Sequence, residues 1–391
     1  MATKNRLEQH IAVFGESGSG KTVLISSFFG PTQEDGYGER NLFDVVADDT
    51  GQGAKLFQNY LGMRNSARVP EPNKFKSISY SFSMKRAKGL SSNPKKRPPV
   101  DEVRLVWHDY PGEWFTQRVE GEEATRRVDG FRALLGSDVA VLLVDAQLLL
   151  DNDGQEEAYL KSLFRNYRAG LESLRDDILD DGKPLVVFPR IWIVALSKSD
   201  LMPDTDVQQF KELIIEKSAG DLDQLRKIIE GLVAAPEALA VGEDFLLLSS
   251  AKFRPGEIEV SQRVGVDLLL PIAAVLPFER HANWARTMQL PPKVAEHLLN
   301  NAGRIATALA LIAPFMRKVK LPGPIAALAA GLGALVSKEA IDKVLDAGRA
   351  KLEEAKAEAL ARHNYLTAVL TRFRIDLEDA EHAKVLLRSR K

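Results

Sequence analysis

The chain contains no cysteine, which excludes disulfides, thiolate metal sites and cysteine nucleophiles together and agrees with a reducing compartment. Neither sign of charge is in excess. Lysine and arginine total 53 against 54 acidic residues, so no global field draws the protein to nucleic acid, which is not expected as a partner. Two apolar stretches, 305–316 and 325–336, both fall short of the roughly 20 residues that a membrane-spanning helix needs. The stretch before the first strand lacks the apolar core of a signal peptide, and a cytoplasmic location is expected. Histidine is scarce: the 6 residues His10, His108, His281, His297, His363 and His382 are scattered without the spacing of a zinc site.

What is present is ordinary globular composition, 45% hydrophobic and 27% charged over 391 residues, which argues for a folded chain larger than one typical domain. Residues His10–Phe14 form a short apolar run that stops at Gly15, and an apolar helical stretch begins at Thr22: strand, loop, helix. From Gly30 to about Pro72 the chain is polar and glycine-rich, and loops with one short helix are expected. Phe75–Met84 and Val103–His108 alternate, which predicts two antiparallel strands. Val139–Val144, Ile191–Leu196 and Phe245–Leu248 are continuous apolar runs of the kind buried on both faces of a parallel sheet. Helical spacing recurs in 160–178, 207–233 and 366–377, and after Pro271 strand signals cease. The expected architecture is therefore α/β, a mostly parallel sheet with one antiparallel strand over residues 1–275, followed by a helical region over 276–391.

Four motifs carry chemistry. The first is Gly15-Glu16-Ser17-Gly18-Ser19-Gly20-Lys21-Thr22, with Val23 opening the helix. Its glycines let the backbone wrap a phosphate and point N–H groups at it, Lys21 reaches the β- and γ-phosphates, and Thr22 ligates Mg²⁺. The second is a strand ending in Asp109-Tyr-Pro-Gly112, where a carboxylate beside the phosphate loop can hold a Mg²⁺ water and the glycine N–H can contact the γ-phosphate. The third, Ser197-Lys198-Ser-Asp200, ends another buried strand. It resembles the Asn/Thr-Lys-x-Asp motif of Ras-like GTPases, in which the lysine stem lies along the base and the aspartate accepts hydrogen bonds from guanine. The fourth, Ser249-Ser250-Ala251-Lys252, resembles the Ser-Ala-Lys loop that packs on guanine from the other side.

In this order the four elements resemble the Ras-like (TRAFAC-class) P-loop GTPases over about residues 8–255. Asp109-Tyr-Pro-Gly-Glu-Trp114 is similar to a signature of the bacterial YcjX-like GTPases, which would make the protein a stress-linked GTPase. The resemblance implies GTP or GDP as ligand, Mg²⁺ as cofactor and a slow molecular switch, turning over on the order of 10⁻⁴ to 10⁻² per second without an activator. The nucleotide set is then Gly15–Val23, Gly112, Ser197, Lys198, Asp200 and Ser250–Lys252; the metal set is Thr22, Asp109 and a switch threonine. Thr50 and Thr32 both stand in the long stretch between Lys21 and Asp109, and Thr50 is the preferred candidate. Catalysis is expected of Lys21, Thr50 and Glu113. Glu113 stands where small GTPases carry glutamine; it either positions the attacking water or is a surface charge of the switch loop.

The basic run Lys85–Arg97 reads first as a solvated hairpin tip, with anionic lipid or RNA as its sharper reading, and the stretches 305–336 read as a buried helical hairpin. The competing readings are a membrane-inserting paddle of a dynamin-like mechanochemical GTPase and a nucleotide-dependent scaffold with negligible hydrolysis. The expected partners are accordingly a protein, or a second copy, met through the switch regions, and peripheral contact with a membrane.

Overall fold

A computed structural model describes residues 6–71, 78–87, 102–112, 122–179, 182–185, 187–287, 349–361 and 365–389. Its centre is an eight-stranded sheet. In chain order the strands are β1 (Arg6–Phe14), β2 (Phe43–Ala47), β3 (Ile78–Arg86), β4 (Glu102–Asp109), β5 (Val139–Asp145), β6 (Ile191–Ser197), β7 (Ala240–Leu248) and β10 (Leu386–Leu387). A separate hairpin, β8 (Lys252–Arg254) and β9 (Glu257–Glu259), follows β7 directly. The order across the large sheet is β10-β7-β6-β5-β1-β4-β3-β2. The run from β7 to β4 is parallel.

The chain is thus α/β with a mostly parallel mixed sheet, and the expectation of one antiparallel strand is corrected. Both β3 and β10 run against the parallel strands, and β2 adds a third antiparallel ladder through β3. β10 also corrects the expectation that strands end at Pro271. Two residues give no periodicity to read; their place comes from pairing with β7.

Alternation along the central strands builds two cores. Ile11, Val13, Val141, Ile193 and Leu246 face one side with α1 (Lys21–Phe29), α9 (Leu269–Thr287) and α11 (Tyr365–His382). Ala12, Phe14, Leu142, Trp192, Val194 and Phe245 face the other, under α4 (Glu122–Leu135), α6 (Glu156–Ser173) and α8 (Val207–Glu230). A strand buried on both sides needs apolar residues at every position, which is why β5 and β6 are continuous runs. Helix α10 (Arg349–Ala361) packs on α11 through Leu352 and Ile375.

The segment 30–72 departs most from expectation. In place of loops with one short helix it holds a 3₁₀ turn (Gly30–Gln33), α2 (Tyr37–Asn41), β2 and the 17-residue helix α3 (Thr50–Ser66). Asp49 caps α3 by accepting from Gln52 N at 2.9 Å. Two of the glycines here mark close approach rather than looseness. A Cβ on Gly30 would overlap the Tyr60 ring, and one on Gly53 would stand 2.7 Å from Ala47 Cβ.

The described end of the chain, α11 and β10, belongs to the same core. Val369, Phe373 and Leu377 of α11 join the cluster of β1 and α1, and Phe373 meets the Phe43 ring edge-on at 5.6 Å. The division placed at 275/276 falls inside α9. Beyond α11 the chain is pinned at both ends of β10: Val207 N donates to Lys384 O at 3.0 Å, and Ser389 N donates to the buried Asp244 carboxylate at 2.9 Å. The stretches 305–336 and most of the basic run 85–97 lie outside the described residues. Among the described residues no helix is long and apolar enough to cross a membrane.

Candidate functional site

Because β1, β4, β5, β6 and β7 are parallel, their C-terminal ends share one edge of the sheet, where open α/β sheets bind ligands. Register keeps the ends level. Val13 lies beside Asp109, and Asp145, Ser197 and Leu248 stand in one row. The four sequence motifs all leave from this edge.

The loop after β1 is shaped by Gly18 and Gly20, both left-handed with φ of 84° and 87°. A side chain at either would be strained, so the conformation depends on glycine. Gly20 is the N-cap of α1, and Ser19 N donates to Glu16 O at 3.2 Å. The loop closes on the ammonium of buried Lys21, which donates to Gly15 O at 2.7 Å and Glu16 O at 3.1 Å. Ser17 and Gly18 are exposed at the crest, whereas Thr22 and Val23 are half-buried on the first turn of α1. Backbone N–H groups at a helix start, with a lysine beside them, form a seat for an anion.

β4 delivers Asp109 and Gly112 to this loop. Asp109 is buried, at 2% exposure, and its charge helps hold the Tyr80 hydroxyl up at about 12, after the larger effect of burial. Gly112 lies directly against the loop: a Cβ there would overlap Ser17 N and stand 2.9 Å from Gly15 O. Only glycine permits that approach. His108, one residue earlier, faces away to the opposite side of the strand as alternation requires. There it meets His10 Nδ1 at 3.0 Å and Ser79 Oγ at 2.9 Å, and its imidazole is pushed down to about 4 by burial and then by His10.

On the other flank, Lys198 adopts a left-handed conformation with φ 55°, and its ammonium reaches the Asp145 carboxylate at 2.7 Å. Ser197 Oγ donates to Val144 O at 3.2 Å, tying the end of β6 to β5. Asp200, half-buried in a 3₁₀ turn (Ser199–Leu201), accepts from Ser249 Oγ at 2.7 Å. Ala251 is buried, Ser250 half-buried, and Lys252 exposed at the start of the hairpin.

Three groups at this edge make contacts that no sequence motif assigns to them. Ser249, rather than Ser250, holds Asp200. Asp145 receives Lys198. Glu16 is half-buried near Asp145, its carboxyl raised by burial first and by Asp145 second, with Lys21 opposing. A carboxylate closing an apolar strand was the available signal for Asp145, but nothing local identifies its partner 53 residues away.

The threonine candidates separate. Thr32 is buried in the 3₁₀ turn, donating to Phe29 O at 2.6 Å. Thr50 is exposed in the first turn of α3, next to the Asp49 cap. Glu113 lies outside the described residues. Among the described residues no group of three His, Asp or Glu side chains is placed to hold a metal. The expected metal set differs in kind, a hydroxyl from Thr22 and a carboxylate from Asp109, and it fits Mg²⁺, which commonly takes one or two protein ligands and fills the rest with phosphate oxygens and water. In comparisons with known proteins, no family model matches the chain and no curated protein matches it.

Proposed function

We propose that the protein is a Mg²⁺-dependent, GTP-binding and GTP-hydrolysing switch. The observation that carries the reading is the seating of Gly112 against Ser17 N and Gly15 O. It brings the end of β4 to the crest of the glycine-rich loop, where a terminal phosphate would be felt by both. A γ-phosphate between them alters the fit of residues 110–112, and its loss restores it, which is the basis of a two-state loop. Asp109 and Thr22 would hold Mg²⁺, which supplies charge neutralisation across the phosphates. Lys21 leaves its loop carbonyls for phosphate oxygens, exchanging one set of hydrogen-bond acceptors for a charged one.

Base choice rests on Asp200. A carboxylate held by Ser249 presents acceptors to guanine's ring N–H and amino group, and adenine lacks that donor pair. Lys198 lies along the ring, with Ala251 and Lys252 on the far side. Calorimetric titration with GTP, GDP and ATP in Mg²⁺ tests the reading: guanine nucleotides should bind and ATP should not. Equal affinity for ATP would remove the role given to Asp200, and absence of phosphate release over many turnovers would remove hydrolysis.

A further inference from the structure

Asp145 terminates β5 with 4% of its side chain exposed, and the cation it contacts is Lys198, 31% exposed. The same carboxylate accepts from Gln147 N at 2.9 Å as the N-cap of α5 (Ala146–Asp151), so its rotamer is held from the helix side. Its backbone N–H donates to Tyr159 Oη at 3.0 Å, which holds the strand end from α6. Asp145 is therefore a fixed point, whereas Lys198 is a long side chain on a turn. A buried carboxylate left without its cation is costly, so the pair persists. Glu16 in the phosphate loop lies close enough to Asp145 for the two carboxyls to repel. Lys21, which donates to the loop carbonyls of Gly15 and Glu16, opposes that effect on Glu16.

From this geometry we infer that Asp145 is the positioning residue for Lys198: it fixes the ammonium so that the lysine stem forms one wall of the purine slot, setting nucleotide affinity without choosing the base. The inference rests on the GTPase reading, since the slot it describes is the one proposed for guanine. It divides the labour of the base side in two. Asp200, held by Ser249, reads the edge of the ring; Lys198, held by Asp145, supports its face. Loss of the edge reader changes the preference among bases, and loss of the face support lowers the affinity for every purine alike.

The test is a double-mutant cycle read by fluorescent-nucleotide titration. Asp145→Asn keeps the cap acceptor and the volume but removes the charge. It should weaken GDP and inosine diphosphate by the same factor, about tenfold, as expected for one charge-assisted hydrogen bond. In a Lys198→Ala background, Asp145→Asn should produce no further loss. Lys198→Met, which keeps the stem and removes the ammonium, is the independent variant should Asp145→Asn not fold, and it should reproduce the same uniform loss. Additive losses in the cycle, a loss confined to guanine, or wild-type affinity in Lys198→Met would each overturn the inference while leaving the GTPase reading intact. A wild-type protein that binds no purine nucleotide would overturn both.

Discussion

The two halves of the sheet are built on different terms. Along β5 and β6, up to their last residues, both faces are apolar, and residues such as Trp192, Val194 and Leu196 alternate with Ile193 and Ala195 into two separate cores. From β1 to β3 one face carries Ile11, Trp107, Leu105, Phe82 and Met84. The other carries a polar network over much of its length. Arg104 bridges Glu8 at 2.7 Å and Asp48 at 2.6 Å, Ser83 donates to Asp48 at 2.6 Å, and His10 joins Glu8 to His108 at 3.0 Å on each side. One half is held mainly by excluded water, and the other half in part by charges and hydrogen bonds that water can compete for. Stability should therefore answer to volume in the first half and to pH and salt in the second.

The largest effect is expected where both faces are apolar. Trp192→Ala, at a side chain 1% exposed, should cost about 3–5 kcal/mol in denaturant unfolding. A cost below 1 kcal/mol would show that the site collapses around the cavity and would blunt the contrast. Next comes Gly112→Ala, which the close approach to Ser17 forbids without a shift of the loop. The proposed GTP hydrolysis should fall on the order of a hundredfold, with the melting temperature little changed, because this contact belongs to the edge and not to a core. Parallel loss of stability and activity would contradict that separation.

The polar half should show itself in pH. The folded His108 imidazole sits at about 4, below its ordinary 6.5, chiefly through burial and then through His10. The folded state thus favours the neutral ring. Its contribution to stability is complete above pH 6.5 and is lost as pH falls toward 4. The Glu8 carboxyl, which burial alone would raise, is held low by Arg104 and His10, so its contribution also fades on acidification. Thermal melts of wild type should fall across that window, and His108→Gln should flatten much of the drop; an unchanged slope would remove His108 from the account. The smallest effect is assigned to Arg104→Ala, about 1 kcal/mol, since its two ion pairs are partly solvated. That loss should shrink further in molar salt, as screening requires.

The same contrast explains what is legible in the sequence. The continuous runs of β5 and β6 and the three- and four-residue steps of α6, α8 and α11 announce themselves, because burial on two faces or one stripe leaves a periodic trace. The segment around α3 does not, since Gly51, Gly53 and Gly62 lower helix propensity and the helix is recovered by the Asp49 cap and by packing of Leu56, Tyr60 and Met63. Gly53 there serves close approach to Ala47, which composition alone renders as loop. The glycine-rich loop, Asp109, Lys198 and Asp200 were legible as motifs. The Ser249 contact was not, because Ser249 and Ser250 are chemically equal and only the backbone path after Leu248 turns one of them toward Asp200.

Residue order alone determined the local units: a strand, a glycine turn and a helix at 10–29, apolar strands that demand two covered faces, and charged motifs at their ends. Tertiary structure decided which ends meet. Strand order places the end of β4 beside the end of β1, so that Gly112 rests on the loop of Gly15–Thr22, and sets β5 beside β6, so that Asp145 receives Lys198. It also draws β10 from the far end of the chain onto β7. Periodicity is a property of neighbours along the chain and survives in sequence; these pairings depend on which strands share a ladder, which no local pattern encodes.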